Sequence, residues 1–278
     1  MIIHSDWHMH SDASYDSTLS LEEIAENAKK FGFRKFGITD HANFNDEKFR
    51  ADIRKSVEIV SEFQKHCPEM VQGIELTPIE KPEFDYIAQT GTREGYVPPV
   101  WGRPYDIELA QTKEEMIKQG IRYAIGAAHW RVDVPNARSL PLDRDEYIRE
   151  WHRLQLWLAQ DERVTILGHP WWCSQRLWYE DFSVIPRSMN MELAAALKEN
   201  KKYVECNLHF FRPTKKTEKF RCQYAEFLRE LHEMGIPVTY GSDSHNVYST
   251  EIHLAEKYLA DAGFKDGDIA EIKEEDLW

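Results

Sequence analysis

The sequence has no Cys-x-x-Cys pair: its four cysteines, Cys67, Cys173, Cys206 and Cys222, are scattered. That excludes a thiolate zinc cluster and a disulfide framework, and it reads as the reduced thiols of a cytoplasmic protein. No apolar run approaches the ~20 residues of a membrane span, and the start lacks a basic-then-apolar signal segment, so no membrane role is expected. Positive charge is in the minority. Lys and Arg number 35 against 48 Asp and Glu, for a formal net charge of −13, which disfavours tight binding to a nucleic-acid backbone. It does not exclude a small anionic substrate, because bound cations would dominate the local field. Linkers, internal repeats and low-complexity segments are also missing, so residues 1–278 are expected to form one domain.

What is present is alternation. Apolar runs near residues 2–7, 35–39, 70–76, 123–128, 164–168, 203–207 and 238–241 read as seven strands. Helical periodicity falls at 20–32, 46–66, 106–119, 143–158, 189–200, 216–234 and 250–262, with a charged tail beyond. Ser20-Leu-Glu-Glu23 and Asp143-x-x-Glu146 have the capping-box pattern, and Gly32 and Gly235 stand where helices end. Strand–helix alternation over the whole chain predicts an α/β fold with a parallel sheet, closed as a barrel at this length. One stretch breaks the rhythm. Residues 77–105 hold five prolines and five aromatic residues and read as a long loop, a lid or specificity element.

The strand ends carry the chemistry. The first gives His8 and His10, which share a face because residues i and i+2 of an extended chain do. The second gives His41, the third Glu75, the fourth His129, the fifth His169, and the seventh Asp243 and His245. Six of the twelve histidines thus stand at strand ends, and in a parallel barrel those ends converge on one face. This donor set suits zinc and similar divalent cations. With Asp16, nine groups are available, too many for one tetrahedral ion and enough for two or three. Glu75 is the candidate bridge. Clustered cations suit in-line displacement at phosphorus by a metal-bridging hydroxide. His66, His152, His232 and His253 fall on helices and His4 within the first strand run, where structural roles are the default. His209, just past the sixth strand, can line the site.

The ordered set His8-x-His10 with Ser11, Ser14 and Asp16, Thr39-Asp40-His41, Gly73-Ile-Glu75, His129, Gly168-His169-Pro170 and Gly241-Ser-Asp243-x-His245 resembles the polymerase-and-histidinol-phosphatase (PHP) family of metal-dependent phosphoesterases. The resemblance implies a distorted seven-stranded (β/α)7 TIM-like barrel. It also implies three cation sites: His8, His10, Glu75 and Asp243; Glu75, His129 and His169; Asp16, His41 and His245. Zinc, manganese and iron all occur in the family.

The expected reaction is hydrolysis of a small phosphorylated metabolite, with Asp243 or His245 managing protons. A phosphate dianion needs fixed donors, for which Arg suits. Arg212 is the first choice, with Arg131 and Arg176 as the others. Trp130, Trp171, Trp172 and Trp178 crowd two of the ligands and suggest an aromatic-walled pocket. Asp6, Asp40 and Ser242 are read as supports that orient ligands or loops. An amidohydrolase-type C–N hydrolase is the second reading, weakened because Lys35 opens its strand and no lysine ends one. A non-catalytic metal-binding domain is the third, weakened by a complete ligand set.

Overall fold

The structure, a computed structural model, describes residues 2–97, 105–129, 144–172, 181–214 and 216–278. The chain begins with β1 (Ser5–Asp6), α1 (Leu21–Phe31), β2 (Lys35–Ile38), β3 (His41–Ala42), α2 (Glu47–Phe63) and β4 (Met70–Leu76). An excursion follows, with β5 (Ile79–Glu80), α3 (Lys81–Thr90) and β6 (Ile107–Glu108), before α4 (Lys113–Gln119) and β7 (Tyr123–Gly126). Then come α5 (Arg144–Gln160), β8 (Ile166–Leu167), α6 (Arg187–Glu199), β9 (Tyr203–Asn207), α7 (Glu218–Glu233), β10 (Val238–Gly241) and α8 (Ile252–Asp261).

Seven of these strands pair in parallel in the order β1-β2-β4-β7-β8-β9-β10. The two ends of that order meet. Trp7 N donates to Tyr240 O at 2.9 Å, Asp243 N to His8 O at 2.8 Å, and His10 N to Ser244 O at 2.9 Å. The chain therefore forms the nearly closed, TIM-like barrel that the alternation predicts, with all expected strands in the ring.

Helix ends follow local chemistry. Ser20, Thr112 and Thr217 cap α1, α4 and α7 by accepting from the backbone three residues on, and Gly32 and Gly120 close α1 and α4 in the left-handed region. Two expectations need correction. The excursion at 77–105 is not a structureless loop: Pro82 sits in the first turn of α3, where its missing N–H costs nothing, and Gly91 ends that helix with φ 78°. The helix expected at 106–119 starts only at Lys113, because Ile107–Glu108 pairs antiparallel with Ile79–Glu80 and Thr112 holds a complete capping box. The charged tail is packed. Ile269 bridges to Val238, and Ala270, Ile272 and Leu277 lie against Trp7, Tyr123 and Tyr203 at the end of the barrel opposite the strand C-termini.

Inside the ring, Tyr123 spans the barrel and donates its hydroxyl to Trp7 O at 2.7 Å. Gly37 and Gly73 make room for it: a Cβ at Gly37 would lie 1.7 Å from the Tyr123 hydroxyl oxygen, and one at Gly73 2.5 Å from its ring.

Candidate metal centre

The paired ends of β1 and β10 set the first candidate ligands. Beyond Asp6 the chain continues extended, so His8 and His10 face inward while Met9, between them, is buried in the core. Asp6 anchors the crossing. It accepts from Ser242 N at 3.0 Å, His8 N at 3.2 Å and the Tyr248 hydroxyl at 3.2 Å. Burial pushes its carboxyl up to about 6 despite those donors. Asp40 takes both the backbone and side chain of Ser11 at 2.6 Å, fixing the turn that follows His10. Ser242 shares a 2.7 Å hydroxyl contact with Ser244.

The structure brings all nine candidate ligands together around Glu75. Glu75 Oε1 is 3.1 Å from both His129 Nε2 and His169 Nε2. Oε2 is 2.8 Å from His41 Nδ1 and 3.4 Å from each of His8 Nε2 and His10 Nε2. Asp243 Oδ1 is 3.4 Å from His10 Nε2 and 3.6 Å from His8 Nε2 and His245 Nδ1. Asp16 Oδ2 reaches His41 Nε2 at 3.2 Å and His245 Nε2 at 3.5 Å, and Ser14 donates to its other oxygen at 2.8 Å. Three groups have ligand atoms mutually within 4.8 Å: His8, His10 and Asp243; His41, Glu75 and His129; His10, His41 and His245. His10 and His41 each belong to two of them, an overlap that the implied partition lacks.

Two observations say this donor set fits cations. Glu75 Oε2 is fully enclosed and in contact with three imidazole nitrogens, yet among the described residues no donor meets it with hydrogen-bond geometry. Secondly, three of the outward nitrogens are occupied. The Thr77 hydroxyl gives its proton to Asn43 Oδ1 at 2.5 Å, so the 2.8 Å contact with His129 Nδ1 requires the histidine to donate. His245 Nδ1 faces the Asp243 carbonyl at 3.0 Å, and His8 Nδ1 faces Glu205 at 2.8 Å. In all three Nε2 is the nitrogen that faces the interior, the arrangement of metal-ligating histidines.

The charges are strongly coupled. Burial alone would raise Glu75, but His41, His8 and His129 hold its carboxylate well below the usual range. Burial is likewise outweighed at Asp243, chiefly by His8 and His10, and its carboxylate also lies low. His8 is raised well above an ordinary imidazole despite burial, by Glu205, Glu75 and Asp243. His10 is depressed well below it by burial and by His41 and His245. Burial opposes protonation of His41 too, but Glu75 and Asp16 hold it up to about 10. Backbone geometry is unusual at two of these positions: His169 has φ 23° and Asp243 φ 52°, a region costly for non-glycine residues and frequent at functional sites.

A cavity of about 430 Å³ opens beside the cluster, with Asp243, His245, His209 and Arg212 on its wall. Arg212 Nη2 donates to Ser249 Oγ at 2.6 Å, and Nε lies 3.0 Å from Glu251 Oε2. His209 lines this cavity, 3.3 Å from the Asp243 carbonyl, and Trp172 meets it edge-to-face with centroids 5.5 Å apart. Trp171 turns instead into the core, stacked on His152. His4 is a surface partner of Asp266 at 2.6 Å. Arg131, Arg176, Trp130 and Trp178 lie outside the described residues. The excursion is tied to the site: Thr77 holds His129, Asn45 donates to Phe84 O at 3.1 Å, and Arg93 stacks over Phe44.

Sequence reasoning missed Glu205, Asn207, Thr77 and Asn43. A signal existed for the first two, since a glutamate and an asparagine at i and i+2 inside an apolar strand share one face.

Three comparisons bear on identity. The PHP domain family model matches residues 6–209. No curated protein matches the chain. Among solved structures, histidinol phosphate phosphatase from Lactococcus lactis, complexed with zinc, L-histidinol and phosphate, aligns with a TM-score of 0.73 at 19% identity, covering 100% of this chain and 99% of that one. A probable 2-pyrone-4,6-dicarboxylic acid hydrolase from Acinetobacter baumannii, with citric acid bound, gives a TM-score of 0.48 at 11% identity, covering 96% of this chain and 94% of that one. At these identities the likeness is one of fold. Among the described residues, no helix is long and apolar enough to cross a membrane.

Proposed function

The chain belongs to the PHP domain family, and on that premise we propose that it is a metal-dependent phosphoesterase acting on a small-molecule phosphate monoester. The observation that carries the reading is the enclosure of Glu75 by five imidazoles from four other strand ends, beside a cavity that holds Arg212.

His8, His10, Glu75 and Asp243 would hold one cation, Glu75 with His129 and His169 a second, and Asp16, His41 and His245 a third; zinc, manganese and iron all accept these donors. Bound there, such ions supply Lewis acidity toward phosphoryl oxygens and lower the pKa of water. The chain's own residues do the rest. Arg212 presents a guanidinium to the cavity, with Ser249 and Glu251 fixing its orientation, and binds the phosphate oxygens. Asp243 and His245 stand between the carboxylate–imidazole cluster and the cavity, where a proton must leave the attacking water and another must reach the departing alcohol. Trp172 and His209 form an aromatic wall for the organic part of the substrate.

The Lactococcus neighbour was solved with L-histidinol and phosphate, so histidinol phosphate heads the substrates to be tried. The test is a panel of phosphorylated metabolites, phosphodiesters included, assayed with Mn²⁺, Zn²⁺ or Fe²⁺ while bound metal is measured. We expect phosphate release from at least one monoester, abolished by chelation and restored by metal. Metal binding without phosphate release from any member refutes the assignment.

A further inference from the structure

Strand β9 contributes none of the nine candidate ligands, yet it is wired to three of them. Its inward residues Glu205 and Asn207 are buried at 1% and 0% exposure. Glu205 Oε1 accepts from His8 Nδ1 at 2.8 Å, and Oε2 accepts from the His169 backbone N–H. Asn207 Nδ2 lies 3.2 Å from both Glu205 Oε1 and Asp243 Oδ2. So β9 touches a candidate ligand from each of its neighbours, β8 and β10, and one from beyond β1, the next strand round the barrel.

The volume for this carboxylate is reserved by the sequence. Gly241 pairs with Asn207 in the β9–β10 register, and a Cβ there would lie 1.9 Å from Glu205 Oε1 and 2.7 Å from His8 Cβ. Burying a carboxylate is costly unless its lone pairs are met. The partners that meet them here belong to the site: an imidazole, the amide of a residue in an unusual left-handed conformation, and an amide that also holds Asp243. A carboxylate serving only the fold has no need to converge on three ligand-bearing segments.

We propose that Glu205 is the positioning residue of the metal centre, fixing the His8 ring with its proton on Nδ1. The inference rests on reading the cluster as a metal centre. Donation to Glu205 makes Nε2 the nitrogen that His8 would offer a cation, and it faces Glu75 Oε2 and Asp243 Oδ1 at 3.4 and 3.6 Å. A carboxylate partner of this kind also makes an imidazole a stronger ligand, and its loss weakens metal affinity on the order of 10- to 100-fold.

The test is titration of metal-stripped protein with Co²⁺, followed by its visible spectrum and by chelator competition, with no substrate present. In Glu205→Gln the shape is kept, but the amide cannot accept from both His8 and His169. One equivalent of Co²⁺ should weaken about 10- to 100-fold, while the others, and the melting of the metal-free protein, stay near wild type. The loss should largely vanish in a His8→Ala background. Unchanged affinity for every equivalent in Glu205→Gln, or an equal loss in the His8→Ala background, overturns the proposal. Should Glu205→Gln fail to fold, ¹⁵N NMR of the Zn²⁺-loaded wild type decides. A His8 proton on Nδ1 supports the proposal, and one on Nε2 overturns it. A wild-type protein that binds no cobalt overturns the metal-centre reading as well.

Discussion

Arg212 shows how much a single side chain is asked to do. It is half-buried, braced by Ser249 and Glu251, and turned to the cavity beside Asp243. Replacing it with Met removes a charge-assisted contact worth roughly 1.5–3 kcal/mol. We expect kcat/KM for the best phosphate ester to fall on the order of 10- to 100-fold, with bound metal unchanged by elemental analysis; a parallel loss of metal would assign Arg212 to the cluster's support instead. Thr77 acts one step further out. Thr77→Val deprives His129 Nδ1 of its acceptor and should weaken one cation about tenfold or more in chelator competition, without altering the others. The difference between these residues and the nine candidate ligands is also a difference in legibility. Histidines at strand ends are conspicuous because little else puts them there, and the strand–helix rhythm brings them to one mouth. Thr77, Asn43 and Glu205 belong to types common throughout the chain, and their partners are 34 to 197 positions away in sequence. Only folding makes those pairs.

Elements were legible where periodicity and caps agree, and illegible where proline has two meanings. Pro82 reads as a breaker in a proline-rich stretch, but at the start of a helix it is a favoured residue, and α3 forms behind it. Conversely, Asp106–Gln111 has enough helical character to be read with α4. The antiparallel pairing of β5 with β6 overrides that local preference, as tertiary partners do. The barrel interior shows the same dependence on partners. β2 and β4 each carry a glycine beneath Tyr123, and the Tyr123 hydroxyl ties β7 to Trp7. Gly73→Ala would place a methyl 2.5–2.8 Å from Tyr123 and Thr39 atoms, overpacking that typically costs about 1–3 kcal/mol. Tyr123→Phe relieves the ring of its hydroxyl but leaves Trp7 O without that donor, a cost of about 1–3 kcal/mol. Because the same ring is involved, the two changes should not add: a double-mutant cycle by urea denaturation should give a coupling energy outside about 0.5 kcal/mol. Simple additivity would mean that Tyr123 is not the strut between these strands.

At the scale of the molecule, the barrel is held at both mouths by unlike means. One mouth gathers carboxylates and imidazoles that bound cations would cross-link, so stripping metal should lower the melting temperature. Each ion at 100 times its dissociation constant adds about 2.7 kcal/mol. The other mouth is closed by the C-terminal segment, whose Ile272 and Leu277 cover Trp7, Tyr123 and Tyr203. Tyr203 is the polar tie there, donating to Asp276 Oδ2 at 2.7 Å and accepting from Lys273 N at 3.2 Å. Burial and the Asp276 carboxylate push its phenol from 10 up to about 12, against the Lys273 amide. The native state therefore keeps a proton that the unfolded chain surrenders between pH 10 and 12. The stability this group contributes is fully present below pH 10 and is lost as pH rises through 12. Burial raises other tyrosines as well, so the informative quantity is a difference. The gap in unfolding free energy between wild type and Tyr203→Phe should be constant below pH 10 and shrink toward pH 12. Since this tie is remote from the strand C-termini, metal content should be the same in both proteins. A gap that does not change with pH would mean that the Tyr203 phenol is not what fastens the segment.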